Sequence, residues 1–581
     1  MNYTLNTDTQ KTTTAKALKT LYRLVAHEKK QLVLSTTAII LNSALILLVP
    51  FVMGIAIDRY IVPKEYSGLI GIAGILLVLF VGTFITGYFQ TSIMGGVAQR
   101  MLYTLRNAIF TKLQELPVAF FNQNKSGDLI SRINNDTTKL NNFFSQSLIQ
   151  LVSSVVLMLG TIVFIFIMNW RLALAAILPA VILFIITRAV SPWIKRKNVA
   201  TLKQSGSLSA EVQQGLDNFK VTVAFNRRDY LRSNFAAANE TNFATAVDSG
   251  IANNLFTPLY GLFAHIAQLA VLGYGIYLIT TGAITIGVLV SFLAYVIQFY
   301  NPLRQLAAIW ASFQIALAGW DRVNAILMLE SDLVMVPDES ANAAGSLLEF
   351  NNVSFSYPEG KQVLHDISFA LQPGKIYALV GPTGGGKTTT ASLMSRLFDP
   401  TTGTILLEGK DIRSYTPHER TQHIGMLLQE PFLFAGTVGE NILYGQSDTY
   451  EKEKAEALVK EFGLTELVSK FENGLDTVVG GGGETISLGQ RQVIAFMRAV
   501  VRHPKLLILD EATANIDTVT EQLLEDILKK LPKETTLVII AHRLNTIERA
   551  DEIFFVNGGT ITPAGSLDHA VTMIMGNKRT S

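Results

Sequence analysis

The chain has 581 residues, too many for one hydrophobic core, so at least two domains are expected. Only 16% of residues are charged, against about 25% in a typical soluble domain. With 49% hydrophobic residues and a mean hydropathy of +0.32, much of the chain must be solvated by something other than water. A net charge of +2 leaves no basic footprint for nucleic acid, and the absence of cysteine excludes disulfides, thiolate metal sites and cysteine nucleophiles.

Residues 1–14 are polar and Thr-rich and lack the charged-then-apolar order of a cleavable signal. Residues 16–30 carry Lys16, Lys19, Arg23, Lys29 and Lys30 beside Leu18, Leu21, Leu24 and Val25, the pattern of an amphipathic helix on a membrane surface. Six charge-poor runs follow, each able to supply the ~20 apolar residues of a membrane-spanning helix. They are 31–57, 66–99, 140–170 and 172–193, then two within 249–303 divided at Thr281 and Gly282. The long connections 100–139 and 195–248 are rich in Lys and Arg, which places them, and both termini, on the cytoplasmic side. The predicted organisation is a tail and surface helix over 1–30, a six-helix all-α transmembrane domain over 31–329, a linker over 330–346 and an α/β P-loop domain over 347–581.

Residues 381–388 read GPTGGGKT, the G-x-x-x-x-G-K-[ST] pattern, between an apolar strand-like run (376–380) and a helix-like run (389–397). In that context Gly381, Pro382, Thr383, Gly384, Gly385 and Gly386 form a loop whose backbone N–H groups cradle phosphate, and the helix N-terminus adds positive potential. Lys387 is placed to bind the β- and γ-phosphates of ATP, with Thr388 ligating Mg2+ and Thr389 beside it. Residues 506–510 read LLILD, an apolar strand ending in Asp510, a second candidate for the Mg2+ shell. Glu511 follows as candidate general base for the attacking water.

The residues around these two features narrow the choice. Gln429 sits in LLQEPFLF, residues 486–492 read ISLGQRQ, Asp517 closes ANID, and His542 sits in IIAHRL. Taken in this order over about 347–575, they resemble the ATP-binding cassette (ABC) ATPases. Six spans ahead of one such ATPase resemble the type IV ABC exporter half-transporters, and LPVAFFNQNKSGDLISRI (116–133) looks like that family's first intracellular loop.

The resemblance implies that Tyr357 stacks on adenine, that Gln429 touches Mg2+ and the attacking water, and that His542 contacts the γ-phosphate. It also implies that Ser487, Gly489 and Gln490 serve the γ-phosphate held by a second subunit. Short helices near 118–122 and 215–220 would transmit closure of the ATPase domains to the spans. The implied protein is a multi-pass protein of a bacterial inner membrane with a cytoplasmic ATPase.

The sequence departs from the family pattern at Leu488, where LSGGQ has glycine. An altered signature beside an intact Glu511 and His542 resembles one chain of the heterodimeric exporters, a reading favoured over a homodimer. The spans are nearly free of charge; His265, Gln268, Gln298, Tyr260, Tyr274, Tyr277, Tyr295 and Phe299 punctuate the later ones, where helical packing or interfacial belts explain most of the aromatics and the other reading is a mainly apolar, aromatic cavity for hydrophobic or amphipathic cargo among membrane lipids. The expected function is ATP-driven export of such compounds. The alternatives are a homodimeric lipid flippase and an ATP-gated channel or regulatory subunit.

Overall fold

The computed structural model describes residues 3–5, 28–331, 333–337, 345–357, 360–444, 451–469, 471–481, 486–510, 518–540, 547–565, 569 and 572. The amphipathic helix expected before residue 28, and Glu511, Asp517 and His542, lie outside them. The chain divides into two compact units. One comprises 6–113 and 127–328, and the other 1–5, 114–126 and 329–581.

The first unit is all-helical and, among the described residues, holds six helices long and apolar enough to cross a membrane. The first span helix (Lys29–Ala56) runs into one wide π turn (Ile57–Ile61). The second (Leu69–Glu115) and fourth (Trp170–Asp217) continue through the polar segments that the sequence set apart as connections. At 1.5 Å per residue, 47 residues reach about 70 Å, more than twice the ~30 Å hydrocarbon core. Charged residues end the membrane-buried part of these helices without ending the helix; Leu116-Pro117 ends the second. A single residue, Asn169, joins the third span helix (Leu148–Met168) to the fourth, its Oδ1 capping the N–H groups of Arg171 and Leu172 at 3.0 and 3.1 Å. The second short helix forms at Phe219–Ala224, later than the 215–220 expected, because the fourth span helix persists to Asp217. The fifth span helix (Phe256–Thr280) and the sixth (Ile286–Leu327) flank the turn at Thr281 and Gly282.

The first and sixth span helices are joined by a polar seam. Pro50 has no N–H and leaves the Ile46 carbonyl without its helical donor, which Gln298 Nε2 replaces at 3.4 Å. Tyr295 Oη donates to the Leu47 carbonyl at 2.7 Å, and Ser291 Oγ to the Pro50 carbonyl at 2.8 Å. Gly287 permits this approach, since a Cβ there would overlap the Gly54 carbonyl. Tyr295 and Phe299 are therefore buried in the helical core, the packing role that the sequence favours for such aromatics over a cavity. Tyr274 and Tyr277 remain exposed and stack at 6.2 Å. At the outer end of the seam, Asp58 Oδ1 accepts from the Gly287 N–H at 2.7 Å.

Lower in the same unit, charged groups close a network across 190 residues of sequence. Asp136 is 0% exposed and receives Lys139 Nζ at 2.8 Å and Arg322 Nε at 3.1 Å. Arg322 also meets Asp128 at 2.5 Å, and the buried Arg132 donates to Asp128 at 2.8 Å and to the Arg322 carbonyl at 2.8 Å.

The second unit is α/β. Its strands are β1 (Leu348–Ser356), β2 (Gln362–Leu371), β3 (Ile376–Val380), β4 (Thr402–Leu407), β5 (Lys410–Asp411), β6 (Ile424–Leu427), β7 (Gly436–Thr437), β8 (Val478–Val479), β9 (Leu506–Asp510), β10 (Thr536–Ile540), β11 (Glu552–Asn557) and β12 (Thr560–Pro563). An antiparallel sheet runs β2-β1-β4-β5, and a mainly parallel one runs β12-β11-β3-β10-β9-β6. Every residue of β9 and β10 is buried, which is why both read as unbroken apolar runs.

Candidate nucleotide site

Parallel strands present their C-terminal ends along one edge, where α/β sheets bind ligands. The loop 381–386 leaves the end of β3, Gln429 follows β6 by two residues, and Asp510 is the last residue of β9. Segments nearly 130 residues apart in sequence are thereby brought to one edge.

The phosphate-type loop folds as its sequence demands. Gly381 has φ 147°, and a Cβ there would strike the Val556 carbonyl of β11. The Gly559 N–H donates to the Gly385 carbonyl at 3.2 Å and fixes the loop against the β11–β12 turn. The following helix is Lys387–Met394, two residues earlier than the expected start at 389. Lys387 is 6% exposed, and its Nζ donates to the Gly381 and Pro382 carbonyls at 2.9 and 3.0 Å. Thr388 is exposed at the head of the helix, and Pro382, Thr383 and Gly384 are exposed on the loop. The result is a concave run of backbone at a helix N-terminus with an ammonium beneath it, an arrangement suited to a polyphosphate.

Tyr357 lies beside this loop. Its hydroxyl meets Thr389 Oγ1 at 3.1 Å, and its ring packs edge-on against Phe355 and Phe398 at 4.9 and 5.5 Å. The ring stays partly exposed, leaving a face for a flat partner.

At the signature, Ser487 caps the helix Leu488–Val500 in a reciprocal box. Ser487 Oγ accepts from the Gln490 N–H at 3.2 Å, and the Ser487 N–H donates to Gln490 Oε1 at 3.0 Å. Gly489 is buried behind the cap. Leu488 is the first helical residue and 39% exposed, so its extra side chain is accommodated without disturbing the cap. Its cost falls on whatever would approach Ser487 from outside.

Two arginines that the sequence did not single out organise this edge. Arg498, on the signature helix, donates Nη1 to the Phe432 carbonyl at 2.9 Å and Nη2 to Asn441 Oδ1 at 2.7 Å. Its guanidinium lies over the Phe434 and Tyr444 rings at 5.5 and 5.3 Å, and burial lowers its pKa from the ordinary value. It ties the loop after Gln429 to the signature helix. Arg396, buried just past the phosphate-loop helix, donates Nε to Asp399 at 3.0 Å and Nη2 to the Val334 carbonyl at 3.0 Å. No local pattern announces either residue: Arg498 acts through Phe432 and Asn441, and Arg396 through Val334 as well as the nearby Asp399.

Comparison with known proteins agrees with this geometry. The family described as ABC transporter transmembrane region matches residues 32–303, and the family described as ABC transporter matches residues 364–514. The uncharacterized ABC transporter ATP-binding protein YfiC of Bacillus subtilis is 35% identical over 568 residues, covering 95% of this chain and 92% of that protein. An ATP-dependent lipid A-core flippase of Syntrophus aciditrophicus is 32% identical over 554 residues (94% and 91%). A multidrug resistance ABC transporter ATP-binding and permease protein of Lactococcus lactis is 31% identical over 503 residues (86% and 85%). Six apolar spans and an ATP-binding α/β unit in one polypeptide place the chain in the ABC transporter family, as an exporter half-transporter that dimerises and couples ATP hydrolysis to transport.

Proposed function

We propose that this chain exports hydrophobic or amphipathic compounds across a bacterial inner membrane as one half of a heterodimer, with its ATPase in the cytoplasm. The observation that carries the reading is the convergence of the phosphate loop, Gln429 and Asp510 on one sheet edge in a chain with six candidate spans. Relatives named for multidrug resistance and for lipid A-core flipping support a cargo of this class.

In this reading Lys387 leaves its carbonyl partners to hold the β- and γ-phosphates, and the N–H groups of 381–386 cradle them. Tyr357 offers its free face to adenine, and Glu511 polarises the attacking water, assisted by His542. The donors available for Mg2+ are the Thr388 hydroxyl, the Asp510 carboxylate and the Gln429 amide oxygen. This all-oxygen set fits a hard cation. Held there, Mg2+ would supply positive charge to neutralise the phosphates. Ser487, Gly489 and Gln490 serve ATP held by the second subunit, so each site is completed only by dimerisation. The helix Val118–Gln123 then transmits closure to the spans.

The reading is tested in inside-out vesicles that contain the active dimer. ATP is expected to drive the amphiphilic cation ethidium into the vesicles, and Glu511→Gln to slow this at least about 100-fold while ATP still binds. Movement of a fluorescent phospholipid alone would favour a flippase. Hydrolysis with neither movement would overturn export in favour of a gate or regulatory subunit.

A further inference from the structure

The segment 3–5 belongs to a stretch whose sequence reads as a solvated tail, yet the structure buries its Tyr3. Tyr3 is 1% exposed and sets its ring edge-on to that of Phe120, centroids 6.4 Å apart at 88°. The Tyr3 N–H donates to Gln123 Oε1 at 2.7 Å, the Leu5 N–H donates to Asn124 Oδ1 at 3.0 Å, and Asn124 Nδ2 donates to the Tyr3 carbonyl at 3.0 Å. Two side-chain amides thus read successive backbone groups of an extended segment, as a strand edge would. The same Asn124 Nδ2 donates to the Phe120 carbonyl at 2.8 Å and closes the C-terminal end of the helix Val118–Gln123.

That helix has six residues, far too few to persist without packing. Pro117 and Ala119 border a cavity of about 310 Å³ shared with Leu333, Phe355, Leu397 and Phe398. Phe355 and Phe398 are the rings that seat Tyr357. The helix therefore stands between a void that leads to the candidate adenine seat and the segment 3–5. Among the described residues, Tyr3 and its backbone neighbours hold it from the latter side.

We propose that residues 3–5 form a strap that holds the helix Val118–Gln123 in place, with Tyr3 a positioning residue for the coupling of ATP hydrolysis to transport. The coupling role rests on the function proposed above; the strap itself does not. Burial of the ring against Phe120 supplies the adhesion, and Gln123 and Asn124 set the register.

The test compares Tyr3→Ala, Tyr3→Phe, Gln123→Ala and the Tyr3→Ala/Gln123→Ala pair in the purified active transporter in lipid. Tyr3→Ala is expected to speed amide hydrogen exchange across 118–124 about tenfold. It should cut ethidium-stimulated ATP turnover at least threefold while leaving KM for ATP within twofold. Tyr3→Phe keeps the ring and should restore both. Gln123→Ala should act like Tyr3→Ala, and the pair no worse than either. Unchanged exchange in Tyr3→Ala would remove the strap. Faster exchange with unchanged stimulated turnover, or a higher KM for ATP, would remove its positioning role. Absence of ethidium stimulation in the unsubstituted protein would count against the proposed function, while the exchange measurement still decides the strap.

Discussion

Lys387→Ala is expected to lower ATP hydrolysis by at least about 100-fold, comparable to the loss of one preorganised donor at a site of developing charge. The side chain is nearly fully buried, and its ammonium is held only 2.9 and 3.0 Å from two carbonyls of the loop it would serve. A phosphate oxygen, being charged, offers the ammonium a stronger partner than a neutral carbonyl does. The loop should survive the substitution, because it is also fixed through the Gly385 carbonyl and by Gly381 against Val556. An unshifted thermal unfolding profile together with lost turnover, read by phosphate release, would separate the lost charge from a lost fold.

A second large effect is expected at Asp136. Its carboxylate is 0% exposed and receives Lys139 and Arg322, while Arg322 also reaches Asp128. Asp136→Ala removes the buried carboxylate that pairs with Lys139 and Arg322; because those cations are 44% and 39% exposed and Arg322 keeps Asp128, solvent screens the loss and the cost is about 1.5–3 kcal/mol. Earlier thermal unfolding of the purified protein checks this. Asp128 lies in the same network, so Asp136→Ala and Asp128→Ala should combine non-additively. The network unites residues 128–139 with the foot of the sixth span helix, so its loss should also lower transport more than ATP binding.

The two ends of the chain were legible to different degrees. The spans were visible because bilayer solvation forbids charge over long runs, and GPTGGGKT and LLILD because phosphate chemistry fixes residue types at short spacing. Helix continuity beyond the membrane was not, since Lys and Arg in 100–115 and 195–217 mark where lipid ends, whereas only Pro117 and the turn at Asn218 mark where helix ends. The particular bonds of Tyr295 and Gln298 were not legible, because their acceptors, the Leu47 and Ile46 carbonyls, lie some 250 residues away. Arg498 and Tyr3 escaped for the same reason, and so did the bond from Arg396 to Val334: these partners are supplied only by the tertiary fold.

Leu488 offers the most direct test of the central claim, that this chain hydrolyses ATP with a signature borrowed from a different subunit. Its side chain leaves the Ser487 cap intact and is 39% exposed at the first position of the signature helix. The measurement is Mg2+-ATP turnover of the chain purified alone in lipid, beside Leu488→Gly. The account predicts turnover well below the ~1 per second at the low end for enzymes, raised at least tenfold by Leu488→Gly. Brisk turnover by the unsubstituted chain, unchanged in Leu488→Gly, would contradict it and establish a competent homodimer.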